Sequence, residues 1–331
     1  MNLVTGGTGL VGSHIILDLL SDGQKVRALK RDRSNLQTIE SIFDFYNKNE
    51  LFHKIEWVDG DILDVPSLEA AMDNVEHVYH SAALVSFHKK HQKMMYEVNV
   101  KGTYNVVNQA LSSKVKKIGH ISSIAALGRN SSHHYTEENK WNNDKNNSYY
   151  AITKYGAENE IWRGIHEGIP AVIVNPGIII GPSNWNRSST TLFKNIHKGL
   201  KHYTTGVNGF VDVRDVSKAI ISLTQSTTHS EKYILVGENL SYKEVFEEIA
   251  KCLDKPIPNK PASKLLLEFV WRVALLKSFF NGRSPAITKE TARVTSQKFY
   301  YDSSKIKKEL SFEFFSTKDA IKNAADYFLK F

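Results

Sequence analysis

One cysteine, Cys252, stands among 331 residues, so no disulfide can close within the chain. It follows Ile249 and Ala250 at helical spacing with no histidine placed to activate it, which reads as a packed thiol rather than a nucleophile. No apolar run is long enough to cross a bilayer. The best candidate, Lys264 to Phe280, is broken by Glu268, Arg272 and Lys277. That spacing predicts an amphipathic helix, better suited to a lid or a core than to a membrane face. No basic stretch followed by an apolar one opens the sequence, and Met1-Asn2-Leu3-Val4 already reads as a first strand. With a single thiol, the expected location is the reducing cytoplasm. Metal-ligand spacing is also missing. His88 and His91 share a helix face, but no Cys or carboxylate completes a set, so no metal is expected.

Basic residues exceed acidic ones, 43 to 35, for a net charge of +8. They are scattered, and no Lys/Arg tract is interleaved with aromatics, so no nucleic-acid partner is expected. Hydrophobic residues make up 41% and charged residues 24%, the balance of a soluble globular protein.

What is present is alternation. Asn2 to Thr5, Lys25 to Leu29, Lys54 to Val58, His77 to His80, Lys117 to Ile121 and Ala171 to Asn175 read as strands, several apolar throughout. Helical patterns lie between them around Gly12 to Leu20, Ser67 to Met72, Met94 to Leu111 and Tyr149 to His166. Strand-helix alternation predicts an α/β fold, a doubly wound parallel sheet (Rossmann fold) with right-handed crossovers. The expected dinucleotide-binding domain covers 1–175, with a return over about 206–237. A smaller mixed α/β substrate lobe takes 176–205 and 238–331. Tyr233 to Val236 is one more expected strand, Ser241 and Glu244 form a capping box, and the last helix is predicted over Thr317 to Leu329. The Asn-rich stretch 130–148 sits where a flexible flap near an active site would sit.

Thr5-Gly6-Gly7-Thr8-Gly9-Leu10-Val11-Gly12 lies between the first strand and the first helix. Glycines there permit a tight turn and close approach to a pyrophosphate, which the helix N-terminus attracts. Gly6, Thr8, Gly9, Leu10, Val11 and Gly12 are the expected cradle. A Gly-rich turn alone is weak evidence; its strand-turn-helix setting strengthens it. The second strand ends in Lys30-Arg31, with Arg33 nearby, where an NAD site usually carries an acid for the ribose 2′-hydroxyl. Cations there suit the 2′-phosphate, Arg31 above all, so NADP(H) is expected over NAD(H). A solvated basic loop is the plainer alternative.

Tyr150 and Lys154 stand at i and i+4 on one helix face. A nearby ammonium is expected to lower the phenol, letting Tyr150 exchange a proton with a carbonyl or alcohol oxygen. Upstream, Ser122-Ser123 ends a predicted strand, where a hydroxyl could bond the reacting oxygen.

Together these residues resemble the extended short-chain dehydrogenase/reductase superfamily over nearly the whole chain. The marks are TGGTGLVG at 5–12, Asp59-Gly60-Asp61-Ile62, His80-Ser81-Ala82-Ala83, Asn99-Val100-Lys101-Gly102-Thr103, the serine pair, Tyr150 to Lys154, Asn175-Pro176-Gly177 and Phe210 to Val216. The resemblance implies that Asp61 and Ile62 flank an adenine and that Ala82 and Ala83 line the cofactor cleft. It implies a triad of Ser123, Tyr150 and Lys154, with Ser123 favoured over Ser122 by its spacing to Gly128. Lys154 would also hold the nicotinamide ribose, and Asn99 would support the site. Asn175, Gly177 and Ile178 would face the nicotinamide carboxamide. Within the superfamily the chain is most similar to the dihydroflavonol-4-reductase-like and 3β-hydroxysteroid-dehydrogenase-like branch, on VRALKR, Ala83 to Phe87 and Arg283 to Thr288.

The expected activity is NADP(H)-dependent reduction of a ketone or aldehyde, or oxidation of the alcohol. The expected substrate is a small, partly apolar molecule lined by Ser86, Phe87, Arg129, Phe193 and Phe210, with Ile178 and the 130–148 stretch. A nucleotide-sugar epimerase is the rival enzyme. Dehydration is disfavoured because Ile124 and Ala125 stand where the family's dehydratases carry an Asp-Glu pair. A non-catalytic NADP-sensing protein is a weaker rival, since Tyr and Lys are both kept. Homodimerisation through Met94 to Leu111 and Tyr149 to His166 is what the resemblance implies.

Overall fold

The computed structural model of the chain describes residues 1–185, 188–281 and 288–331. Seven parallel strands make the main sheet: β1 (Asn2–Thr5), β2 (Val26–Lys30), β3 (Glu56–Asp59), β4 (His77–His80), β5 (Lys117–Ile121), β6 (Ala171–Pro176) and, entering late, a strand at Glu231–Leu235. Across the sheet the order runs Glu231–Leu235, β6, β5, β4, β1, β2, β3. The chain therefore builds outward from β1 in both directions. At the β1/β4 reversal the flanking loops part and leave a crevice beyond the strands' C-terminal ends, where such sheets bind ligands.

Both faces are covered, as strands without polar alternation require. α1 (Leu10–Ser21) buries Val11, Ile15, Ile16 and Leu19 on one face, beside the helix Val213–Gln225. On the other face Val106, Val107, Ala110 and Ile161 pack over Val78, Ile118 and Ile173. A helix at Gln37–Phe45, not foreseen above, buries Ile39, Ile42 and Phe43 at helical spacing. β2 runs one residue further than expected, which makes Lys30 a strand residue opposite Asp59.

The single helix expected over Met94 to Leu111 is three segments. An α turn at Gln92–Tyr96 widens into a π turn at Glu97–Lys101 and resumes at α2 (Gly102–Ser112). The wide turn carries Asn99, whose side chain accepts from Leu84 N at 2.7 Å and donates to Leu84 O and Thr153 Oγ1, both at 3.0 Å. These bonds hold the inserted residue inward, a common setting for π turns. α3 (Tyr149–His166) has the predicted bounds, and Ser148 caps it by accepting from Ala151 N.

A three-stranded sheet of Ile178–Ile180, Val207–Asp212 and Glu238–Ser241 carries the smaller lobe; of the 206–237 return expected above, Val207–Asp212 lies in this sheet and Glu231–Leu235 in the main one. Helices Tyr242–Cys252, opened by the Ser241–Glu244 capping box, and Thr317–Lys330 pack on it. Two expectations are corrected here. Phe193 and Phe210 do not line a substrate surface: they are 2% and 0% exposed and fill this lobe's core with Ile180, Val245 and Ile321. Their apolar bulk is what the lobe needs to close on itself.

The 130–148 stretch is also tied down rather than free. His134–Tyr135 pairs with Tyr300–Tyr301, and Trp141 stacks on Tyr155 of α3 with centroids 4.4 Å apart. Arg293 donates to the side chain and the carbonyl of Asn146. Its asparagines bond local carbonyls: Asn130 that of His134, Asn142 that of Arg129 and Asn147 that of Asn142. Of the Arg283 to Thr288 segment, Arg283-Ser284-Pro285-Ala286-Ile287 lies outside the described residues, and Thr288 caps the helix Lys289–Val294. No helix among the described residues is long and apolar enough to cross a membrane.

Phe210→Ala is expected to cost about 3–5 kcal/mol of stability by leaving a cavity in the lobe core. Urea unfolding should show the midpoint falling with an unchanged slope.

Candidate functional site

The Gly-rich turn is fixed by contacts only glycine allows. Gly6 has φ +71°, and a Cβ there would come within 2.7 Å of Ala82 N; a Cβ on Gly12 would come within 2.2 Å of Gly6 O. α1 has no side-chain cap at Gly9, and its first backbone bond runs from Ser13 N to Gly9 O. The N–H groups of Leu10, Val11 and Gly12 thus open the helix without helical acceptors, beside Thr8. This fits a dinucleotide pyrophosphate, whose charge the helix N-terminus favours.

Beneath the turn, β1 and β4 are cross-linked. Thr5 Oγ1 meets His80 Nδ1 at 2.7 Å, and His80 Nε2 meets Thr103 Oγ1 at 2.9 Å. Burial drives the His80 imidazole down to about 3, aided by the Lys154 charge, so the ring is neutral. Sequence reasoning marked the segment but not this role. Ala82 and Ala83 follow directly on the open side of the strand end, half-buried and exposed.

At the rim, Lys30 is ion-paired with Asp59 across β2 and β3. Arg31 and Arg33 are exposed and form no ion pair among the described residues. Asp61 accepts from Leu63 N at 3.0 Å, and Ile62 is buried against Gly102.

The Ser-Tyr-Lys residues come together where α3 crosses the ends of β5 and β6. Ser123 Oγ accepts from Ala125 N at 3.2 Å and lies near enough to the Tyr150 hydroxyl to lower it. Lys154, 2% exposed, donates from Nζ to Ile121 O at 2.8 Å. Burial lowers its ammonium to about 8, opposed by the Glu158 charge. The expected lowering of Tyr150 by Lys154 is not seen. Burial pushes the phenol up to about 12, and what pulls the other way is the Ser123 hydroxyl. The ammonium is engaged by a carbonyl instead.

Asn175 is fully buried. Its Nδ2 donates to Glu158 Oε1 at 2.5 Å and Ser123 O at 3.0 Å, leaving Oδ1 without a partner. Both neighbours are acceptors, which fixes the amide's orientation. Gly177 is pressed against Gly209 O, and Ile178 is half-buried beside it. On the open side, Phe87 is 41% exposed with its ring 6.1 Å from that of Tyr150, and Ser86 Oγ meets His91 Nδ1 at 2.8 Å. Arg129 lies over the Phe299 ring at 4.5 Å. No metal-ligating group of three His, Cys or carboxylate side chains occurs among the described residues.

Gly12→Ala tests the cradle: about 1–3 kcal/mol of overpacking strain is expected between the turn and α1. A fluorescence titration should then show weakened binding of the nicotinamide dinucleotide together with a lower melting temperature.

Comparison with known proteins places this geometry. Residues 2–237 match the NAD dependent epimerase/dehydratase family. A putative dihydroflavonol 4-reductase of Synechocystis sp. is 30% identical over 98% of this chain and 93% of its own. Sterol demethylase protein B of Methylococcus capsulatus is 27% identical over 98% and 97%, and cinnamoyl-CoA reductase 1 of Petunia hybrida 28% over 78% and 79%. The crystal structure of gox2253 superposes with a TM-score of 0.81 at 29% identity, covering 100% of this chain and 98% of that one. A match spanning the Gly-rich turn, the Tyr-Lys helix and the returning strand settles the kinship: the chain belongs to the NAD dependent epimerase/dehydratase family, as an NAD(P)-dependent oxidoreductase.

Proposed function

We propose that the chain is an NADP(H)-dependent reductase of a partly apolar ketone or aldehyde, working also in the reverse direction, with Ser123, Tyr150 and Lys154 as its catalytic residues. The observation that carries this is the convergence of the three side chains at the ends of β5 and β6, with Lys154 on Ile121 O and Ser123 acting on the Tyr150 hydroxyl. NADP(H), when bound, supplies or takes up the hydride. The N–H groups of Leu10, Val11 and Gly12 would hold its pyrophosphate, and Arg31 would meet its 2′-phosphate. Lys30 is committed to Asp59 and serves as a strut beside it.

Ser123 donates a hydrogen bond to the substrate oxygen and fixes its place. Tyr150 hands its phenolic proton to that oxygen as negative charge develops there. Its elevated pKa keeps the proton in place until then. The Lys154 ammonium, one helical turn from Tyr150 on the same face of α3, favours the phenolate once it forms. Asn99 is a positioning residue: it ties the Leu84 loop to Thr153 on α3 and touches no reacting atom. Phe87, partly exposed beside Tyr150, supports an apolar substrate. Relatives named for dihydroflavonol and cinnamoyl-CoA reduction support the same class.

A homodimer is part of the proposal. Tyr96, Tyr104 and Ile152 are 44%, 46% and 47% exposed on the adjoining helices, and Leu63, Val100 and Glu160 complete a shallow depression there. Sedimentation of the purified chain at monomer mass would refute it.

The direct test is NADPH consumption with a panel of dihydroflavonols, cinnamoyl-CoA thioesters, simple ketones and nucleotide sugars, repeated with NADH. Turnover of an apolar carbonyl is expected, with Tyr150→Phe slower by about 10²–10⁴-fold. Interconversion of a nucleotide sugar without net NADPH loss would instead establish an epimerase. Arg31→Ala should weaken NADPH relative to NADH by about 10–100-fold, one charge-assisted contact. An unchanged ratio would remove Arg31 from the 2′-phosphate site.

A further inference from the structure

Tyr150, Lys154 and Glu158 follow one another at i, i+4 and i+8 on α3, so one face of the helix carries a phenol, an ammonium and a carboxylate. Glu158 is as buried as Lys154, at 2% exposed. Its Oε1 accepts from Ser122 Oγ at 2.5 Å on the end of β5 and from Asn175 Nδ2 at 2.5 Å on the end of β6. The same Asn175 amide reaches on to Ser123 O. One carboxylate thus ties the two strand ends from which Ser123 and the Asn175–Gly177 stretch leave the sheet. A buried acid is costly and persists only where its bonds satisfy it.

We propose that Glu158 is a positioning residue of the reductase: it holds the strand ends bearing Ser123 and Asn175 in register with α3, the helix that also carries Lys154. This rests on the Ser-Tyr-Lys reading above. Glu158 touches no reacting atom. Because it is acceptor-only when ionised, it turns the Asn175 NH₂ inward and leaves Oδ1 as the free acceptor. Its charge is also the one nearby influence that raises Lys154 against burial. The other groups around the ammonium do not supply that charge. His80 on β4 and His120 on β5 are buried imidazoles lowered by burial and by Lys154 itself, hence neutral. Tyr150 is held as a phenol. Burial raises the Glu158 carboxyl above its ordinary value, and the Ser122 bond, the Lys232 charge on the strand beyond β6, the Asn175 bond and the Lys154 charge pull it back toward the charged form.

The sign follows. Lys154 near 8 bounds activity on the alkaline side, since the ammonium is lost as pH rises through that value. Without the Glu158 charge, the ammonium is lost at lower pH. Glu158→Gln keeps an acceptor oxygen and removes the charge. In the full-length enzyme, the alkaline limb of turnover with the best panel carbonyl is expected to move down by about one pH unit, a tenfold loss at fixed pH on that limb. NADP⁺ affinity, followed by titration calorimetry in the same buffers, should weaken over the same shifted range. Glu158→Asp keeps the charge but shortens the reach: its limb should stay near wild type while kcat falls. A lowered melting temperature with both limbs unmoved in Glu158→Gln would mean a merely structural acid and overturn the proposal. An equal shift in Glu158→Asp would overturn the charge argument. Tyr150→Phe separates the two readings. If it keeps full turnover, the triad fails, and Glu158 is judged on the NADP⁺ limb alone. If it is inactive and Glu158→Gln leaves both limbs in place, the failure belongs to Glu158.

Discussion

Helix α3 lies across the C-terminal ends of β5 and β6, and the cleft depends on that crossing. The contact is made by polar groups as well as apolar ones. Ala157 and Ile161 supply the buried packing, while Lys154 and Glu158 bond the strand ends at Ile121 O, Ser122 and Asn175. A purely apolar seam would tolerate sliding of the helix by a few tenths of an ångström. Hydrogen bonds from buried charged groups do not, because a broken one leaves an unsatisfied charge. Distance and angle at Tyr150 and Ser123 are therefore set by the groups beneath them.

A second constraint stands on the other side of the crevice. The Gly6–Gly12 contact brings α1 so close to β1 that the helix N-terminus opens directly over the sheet. Thr5, His80 and Thr103 then bridge β1, β4 and α2, and the Asn99 bonds carry the linkage on to α3. The strand that leads into the Gly-rich turn and the helix that carries Tyr150 and Lys154 are thus joined by one chain of buried hydrogen bonds. With both imidazoles neutral, Lys154 is the cation at the centre of this framework.

Much of this was legible in the sequence. The strands at His77–His80 and Lys117–Ile121 and the helix at Tyr149–His166 have their predicted bounds, because apolar runs and caps mark them locally. The Ser241–Glu244 box did the same for its helix. The π turn at Glu97–Lys101 was not legible, since nothing local distinguishes it from an α turn; the Leu84 loop calls it into being. Phe193 and Phe210 looked like pocket aromatics and are core, because an aromatic's burial depends on which sheet lies against it. Glu158 carried a signal, its place four residues beyond Lys154, but the spacing does not tell a solvated acid from a buried one.

By itself the sequence determined the alternation of strand and helix, the Gly-rich turn and the Tyr-Lys face, because backbone sterics, helical period and side-chain pattern act within a few residues. The tertiary structure decided what each charge meets. Lys30 is paired by Asp59 from the neighbouring strand, and Arg31 is left open. Tyr150 is raised by burial, and Lys154 is turned onto a carbonyl of β5. Those outcomes depend on desolvation and on partners up to tens of residues away, and both exist only once the sheet and its covering helices are packed.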